Sequence, residues 1–554
     1  MKRRKLLQHL AAAIPAATML PYVRAAEADA GADQRLPMAK GPFTPDWTSL
    51  SAYRTPDWFR NAKFGIWAHW GPQCEPEFGD WYARGMYEEG SDAYRHHLNK
   101  YGHPSAFGFK DVIHQWKAER WDPDALVALY KKAGAKYFVA LANHHDNLDL
   151  YRSKHQPEWN STSVGPRKDL VGGWSKAARK HGLRFGVSVH AAHAWTWYEV
   201  AQGADKSGAY AGVPYDGNLT RADGNGKWWD GRDPQALYAQ RHPRSKAGGD
   251  GGVYEEQWHW GGGAAVPDQA YGDKLYQRTV DLIDSYDPDL VYYDDTVLPL
   301  WPVRSDVGPR LMAHMYNRSI ASKGQLEAVV NGKILNEVQR KSMVWDIERG
   351  QSNKIEELPW QTCTCIGSWH YDRRVYDGKA YKSAQTVVQT LIDVVSKNGN
   401  LLLSVPVRGD GTIDEQERAI VEEIGRWMAP NGEGIYDTRP WSVFGEGPVM
   451  EEAAAPMSGA GFNEGKGKPF SSADVRFTAG KNAVYAFVMG WPDDGKVLIK
   501  SMRAGGGHLK QRVQRVELLG RGGALVFSQT ADGLQVTLPP NRPALPYAFA
   551  LKVA

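Results

Sequence analysis

The sequence predicts an α/β chain in which a (β/α)8, TIM-like barrel is followed by a C-terminal antiparallel β-sandwich. Three observations predict it. Between residues 60 and 405, apolar β-type runs alternate with helix-patterned stretches, the pattern of a parallel sheet wrapped by helices. The runs number eight, the count that closes a barrel. Past Trp427 the alternation stops and short period-two segments take over. At 554 residues the chain exceeds one ordinary domain. The expected partition is a leader over 1–25, a catalytic barrel over 26–440 and a sandwich over 441–554.

The leader has basic residues Lys2 to Lys5, a short apolar core and a small-residue cleavage site at Val23-Arg24-Ala25. Arg3-Arg4 before Leu6-Leu7 resembles a twin-arginine signal. Export to the periplasm or medium is the expected destination. No run reaches the ~18 apolar residues of a spanning helix, so no membrane insertion is expected.

The strands in order are FGIWAHW (64–70), YFVALANHH (137–145), RFGVSVH (184–190), LVYYDD (290–295), EAVVNG (327–332), MVWDIE (343–348), TCTCIG (362–367) and LLLSVPV (401–407). Between them, Asp122-Pro123 supplies an N-cap and a proline at the first helical position, and Gly134 ends that helix. Helical stretches at 169–181 and 382–397 stop at Gly182 and at Asn398-Gly399. Two long insertions, 72–118 and 191–267, follow strands 1 and 3, and their length suits active-site walls. Within the second, DGNGKWWDG lacks calcium-loop ligand spacing and reads as a glycine-rich turn. NAVYAFVMGW, GKVLIKSM, RVQRVELLG and GLQVTLPP are the sandwich strands. An open doubly wound sheet fits less well, because no glycine-rich phosphate loop follows an early strand.

Composition narrows the function. Lys+Arg 67 against Asp+Glu 63 leaves a net charge of +4, which gives no electrostatic case for nucleic acid as partner. Trp 22 exceeds Phe 15, and flat amphipathic rings suit a surface that stacks on sugars. Cys74, Cys363 and Cys365 make no disulfide framework, and the last two share one strand face.

In a (β/α)8 barrel the C-terminal strand ends share one mouth. Here those ends carry His69, His144-His145-Asp146, His190 with His193, Asp294-Asp295, Asn331, then Asp346 and Glu348. A lone histidine at a strand end is usually structural; six strands ending in polar groups call for chemistry. Carboxylates with histidines fit glycoside hydrolysis, in which one acid attacks or stabilises the anomeric carbon and a second protonates the leaving oxygen. They also fit a metal hydrolase with histidines and Asp294 as ligands. Strand 1 offers no H-x-H pair, and adjacent His144 and His145 cannot both face the mouth from a regular strand, so no metal or other cofactor is expected. A non-catalytic sugar-binding protein is the third class, and the presence of both carboxylates argues against it.

KFGIWAHWG (63–71), HHDN (144–147), GPRKDLVGGW (165–174), YDPDLVYYDD (286–295), SWHYDRR (368–374), KNGNLLLSVPVRGDGTI (397–413) and NGEGIY (431–436) stand in an order that resembles the exo-acting α-L-fucosidases of glycoside hydrolase family 29. The resemblance covers roughly residues 45–440. It implies a retaining enzyme acting on fucosylated oligosaccharides, with a (β/α)8-like domain before a β-sandwich. Its nucleophile would be an aspartate at the end of strand 4, six residues past the proline of a P-D turn; counting from Pro288 gives Asp294. Asp295 is then a loop-holding neighbour. His69, His144 and His145 match the family's sugar-binding histidines, and Trp81 its E-W-Y tryptophan. Asp80 replaces the usual glutamate there. For the acid/base, whose position varies in the family, Glu348 is chosen because it ends strand 6, with Glu356 and Glu357 as alternatives. Arg349 would hold Glu348 or the sugar. The stretch VSVHAAHAWTW departs from the family pattern, and His190, His193 and Trp195 would shape a different aglycone side. An α-L-galactoside is an alternative substrate.

Overall fold

Eight parallel strands close on themselves in sequence order: β1 (Phe64–Ala68), β2 (Tyr137–Asn143), β3 (Arg184–Val189), β4 (Leu290–Tyr293), β5 (Val329–Gly332), β6 (Val344–Glu348), β7 (Trp360–Cys365) and β8 (Gly399–Ser404), with β8 pairing back to β1. They are seen in a computed structural model that describes residues 35–245, 260, 263–452, 463–509 and 511–554. The leader expected over 1–25 lies outside the described residues. Nearly every strand residue is buried, which is why these strands read as unbroken apolar runs.

The helix signals hold. The Asp122 side chain caps α1 (Pro123–Lys132) by accepting from the Ala125 amide, and Asp169 caps α2 (Leu170–Lys180) through the Gly172 amide. Gly182 follows α2 at φ 66°, where a side chain would be strained. Ser383 caps α3 (Ala384–Ser396). Among the described residues, no helix is long and apolar enough to cross a membrane.

The two insertions are bolted together by one buried ion cluster. Lys110 Nζ lies 2.6 Å from Asp111 and 3.0 Å from Asp216. The Tyr87 and Tyr238 hydroxyls donate to Asp216, each at 2.7 Å. Trp228 Nε1 donates to Asp111 at 2.6 Å, so DGNGKWWDG is a turn that delivers a tryptophan to this cluster.

In the C-terminal region, β9 (Arg439–Glu446), β10 (Val475–Ala479), β11 (Val484–Val488), β13 (Val516–Leu518) and β16 (Phe549–Val553) make an antiparallel sheet of order β13-β16-β11-β10-β9. A second sheet, of order β12-β15-β14, is built from β12 (Lys496–Ile499), β14 (Val526–Gln529) and β15 (Leu534–Thr537). Phe477, Val488 and Leu551 of the first share a core with Val497, Ile499 and Val536 of the second, as in a sandwich. The sandwich is seated on the barrel by Trp427, whose Nε1 donates to the Ala548 carbonyl at 2.8 Å. Asp393 on α3 adds a buried bridge, accepting from Arg476 of β10 at 2.6 Å and from Lys397 at 2.5 Å.

All three cysteines are free and buried. Cys363 is also a hydrogen-bond donor: its Sγ donates to Asp346 at 3.0 Å.

Candidate active site

Side chains alternate along a strand, so residues two apart stack on the same face. Applied to the barrel interior, this gives a lower layer of Trp67, Ser188, Tyr292, Asn331 and Asp346. Two residues on come His69, His190, Asp294, Lys333 and Glu348 at the mouth. Asp346 therefore sits beneath the mouth, correcting its place among the converging acids. It accepts from Gln361 Nε2 (2.8 Å), Cys363 Sγ (3.0 Å) and the Tyr292 hydroxyl (3.3 Å), and burial pushes its carboxyl up to about 6.

Asp294 follows β4 directly, and its amide donates to the Val189 carbonyl, pinning the residue between β3 and β4. Its carboxylate has two sides. Oδ2 accepts from His190 Nδ1 at 2.8 Å and lies 3.3 Å from His145 Nε2. Oδ1 accepts from the Lys333 ammonium. Burial alone would raise this carboxyl, but Lys333 and then His190 outweigh it and hold it well below the usual range. Lys333 obeys the same balance: burial pulls its pKa down, and the charges of Asp294 and Glu348 drive it well above the ordinary lysine value.

The same ammonium donates to Glu348 Oε2. Two carboxylates on one ammonium have their nearest oxygens within about 6 Å. Retaining glycosidases need roughly 5–5.5 Å between carboxyl groups, and inverting ones roughly 6.5–9.5 Å. Both side chains keep some solvent access, 14% for Asp294 and 21% for Glu348. Asp295 takes another path, accepting from the Thr296 and Leu300 amides at 2.7 and 3.2 Å, which holds the loop. Glu356 is at the opposite end of the barrel: its amide donates to Lys397 before β8 begins, and its carboxylate pairs with Arg340 at 2.9 Å. Glu357 is exposed, its carbonyl 3.4 Å from Asn398 Nδ2 in the same region.

His144 and His145 both face the mouth, with ring centroids 4.3 Å apart, contrary to the alternation argument. That argument assumed a regular strand. β2 ends at Asn143, after a register slip between Leu141 and Asn143, so both histidines lie on the following turn. His145 Nδ1 donates to the His190 carbonyl at 2.8 Å. His144 Nδ1 faces Gln73 Nε2 at 2.9 Å; an amide N–H can only donate, so the His144 proton is on Nε2. Burial depresses the pKa of four histidines at the mouth: His190 to about 4, His69 and His144 well below their ordinary value, and His145 against the opposing pull of Asp294. They stand neutral at pH 7. His69 Nδ1 and His190 Nε2 are buried without a protein partner, as is Asp146 Oδ2. Such groups are costly unless something bonds them, and sugar hydroxyls both donate and accept.

His190 turns inward to the Asp294 carboxylate instead of shaping an aglycone side, while His193 stacks on Trp260 at 4.9 Å and Trp195 on His242 at 3.8 Å. Trp81 stands edge-on to Trp197 at 5.6 Å, and Trp197 lies 4.7 Å from His145, which joins Trp81 to the mouth. Asp80 accepts from the His370 amide at 2.7 Å, joining the first insertion to the loop after β7. Arg349 is engaged by Glu464 at 3.1 Å.

Three mouth residues escaped the sequence reading. Lys333 is two positions past Asn331, already placed at a strand end, so alternation could have found it. His370 lies on a loop and Gln73 on a single 3-10 turn (Pro72–Cys74), neither with a periodicity to betray it; His370 is 4.6 Å from His144 and 5.3 Å from His69, ring to ring. The donor atoms of His144, His145, His190 and Asp294 all lie within 4.8 Å of one another, close enough to hold a metal ion. Lys333 already supplies positive charge to that carboxylate.

Two family models match the chain: Alpha-L-fucosidase over residues 31–433 and Alpha-L-fucosidase C-terminal domain over residues 468–554. The rat tissue alpha-L-fucosidase is 27% identical over 529 residues, covering 94% of this chain and 92% of that protein. The human tissue enzyme is 26% identical, covering 94% and 93%. A Thermotoga maritima alpha-L-fucosynthase, solved with alpha-L-Fuc-(1-2)-beta-L-Fuc-N3, superposes with a TM-score of 0.65 at 25% identity, covering 93% of this chain and all of that one. The alpha-fucosidase of the same organism, solved with fucose, shares the fold with a TM-score of 0.65 at 24% identity. With one model spanning the barrel and its mouth and the other most of the sandwich, the chain belongs to the alpha-L-fucosidase family of glycoside hydrolases.

Proposed function

We propose that this fucosidase removes terminal α-L-fucose from glycans with retention, through a covalent glycosyl-Asp294 intermediate, with Glu348 as acid/base. One observation carries the reading: Asp294 and Glu348 share the Lys333 ammonium at the barrel mouth. Asp294, held ionised, attacks the anomeric carbon as Glu348, which must first take up a proton and let go of Lys333, gives that proton to the departing oxygen. Glu348 then takes a proton from water, whose oxygen displaces Asp294 from the same carbon. His190 donates to the Asp294 oxygen that Lys333 leaves free. His69, His144, His145 and Trp81 support binding of the sugar, and Asp80 and Arg349 border it. Chain-terminal fucose on exported or extracellular glycans fits the leader expected over residues 1–25. An apolar pocket rejects an added hydroxyl only about 100-fold, so α-L-galactosides should be poor substrates, not inert ones.

The test is product stereochemistry with azide rescue. NMR of early hydrolysis should show α-L-fucose first. Asp294→Gly should abolish turnover of an aryl α-L-fucoside, and azide should restore it with β-fucosyl azide as product. β-L-Fucose as first product, or an active Asp294→Gly enzyme, would refute the reading. The four clustered donors support a second reading, a metal hydrolase. It requires loss of activity on chelation and recovery with Zn²⁺, whereas the carboxylate mechanism requires indifference to both.

A further inference from the structure

Two residues that precede β10 of the sandwich, Asn463 and Glu464, reach the barrel mouth and grip the turn that follows Glu348. The Glu464 amide donates to the Arg349 carbonyl at 2.9 Å, and Arg349 Nε donates back to Glu464 Oε2 at 3.1 Å. The other carboxylate oxygen accepts from Thr364 Oγ1 and from Lys382 Nζ, each at 2.6 Å. Asn463 Oδ1 accepts from the Gln351 amide at 2.8 Å, and its Nδ2 donates to the Gln351 carbonyl at 3.0 Å. The fit against Gly350 is close: a Cβ there would meet Asn463 Oδ1 at 2.9 Å. The turn so held is strained. Arg349 has φ 43°, and a non-glycine residue keeps such a conformation only where its surroundings over-determine it.

Acid catalysis depends on where the proton donor stands, and a displacement of about 1 Å costs as much as 100-fold. Glu348 is the last residue of β6, so its carboxyl is set by the peptide that Asn463 and Glu464 fix from outside the barrel. We propose that Asn463 and Glu464 are positioning residues for the acid/base, through which the C-terminal domain completes the barrel's active site. The proposal rests on the reading of Glu348 as acid/base.

The experiment compares Glu464→Ala, Glu464→Gln and Glu348→Ala in the full chain on two substrates, an aryl α-L-fucoside with a good leaving group and a fucosyl disaccharide that needs protonation. Glu464→Ala should lower kcat on the disaccharide about 10- to 100-fold with little change in KM, cost the aryl fucoside far less, and shift the basic limb of the pH profile. Glu464→Gln, which keeps an acceptor for Thr364 and Lys382, should restore most of the rate. Equal losses on both substrates, or a lower melting temperature with kcat unchanged, would overturn the proposal and leave Glu348 standing. Should Glu464→Ala fail to fold, Asn463→Ala, which removes the two Gln351 hydrogen bonds, carries the same comparison. A Glu348→Ala enzyme with no leaving-group dependence would remove the acid/base assignment, and the positioning role with it.

Discussion

Lys333 is where the physics of the site concentrates. A single ammonium lowers the pKa of Asp294 and draws Glu348 into range. Replacing it with methionine removes the charge and keeps the bulk. The Asp294 carboxyl should then rise, because burial would no longer be opposed by the Lys333 charge. A nucleophile must be ionised, so the acid limb of the kcat/KM profile should move to higher pH, with a larger loss at pH 5 than at pH 8. An unmoved limb would mean that His190 and His145 set the carboxylate without Lys333. Asp294 and Glu348 were legible in the sequence because each ends an apolar strand, where an acid has no structural excuse. Lys333 was passed over because a lysine one residue beyond a strand looks like ordinary loop charge. Its partners, 39 and 15 positions away, become visible only in three dimensions.

At the scale of elements, the eight strands were readable because strands buried on both faces are apolar throughout, and the start of α1 because Asp122 caps it by a local hydrogen bond. The insertions were readable only as insertions. The first holds α-helices at Asp92–Lys100 and Phe109–Gln115, whereas the described part of the second is mostly short 3-10 turns and loops ordered by distant partners, such as Asp216 with Lys110 across 106 positions. A period-based reading has no purchase there, and the turn that carries His144 and His145 was misjudged for the same reason. Lys110→Met would strand two buried carboxylates, Asp111 and Asp216, and should cost about 3–5 kcal/mol. Urea unfolding should report that loss, and limited proteolysis should find new cleavage within 191–245. An unchanged midpoint would show the cluster to be dispensable.

For the whole molecule, the histidine-lined mouth sets a pH dependence of stability. The folded pKa values of His69, His144 and His190 lie below the unfolded value near 6.5, that of His190 at about 4. Depressed groups contribute stability above the unfolded pKa, and that stability is lost as pH falls, because the unfolded chain binds protons the folded one refuses. Unfolding free energy should therefore decline from pH 6.5 toward pH 4, and His190→Asn should flatten part of the slope. An identical slope in the variant would assign it elsewhere. The division into barrel and sandwich was legible from the change in periodicity after Trp427. What the sequence could not show is that the sandwich returns to the barrel mouth, since Glu464 meets Arg349 from 115 positions away.

The most direct measurement is covalent trapping. The enzyme would be incubated with 2-deoxy-2-fluoro-α-L-fucosyl fluoride, whose glycosyl-enzyme hydrolyses slowly, then digested and sequenced by mass spectrometry. The mechanism predicts one fluorofucosyl group per chain, on the peptide containing Asp294 and on that carboxylate. A fully active enzyme with no adduct, or an adduct on another residue, would contradict it.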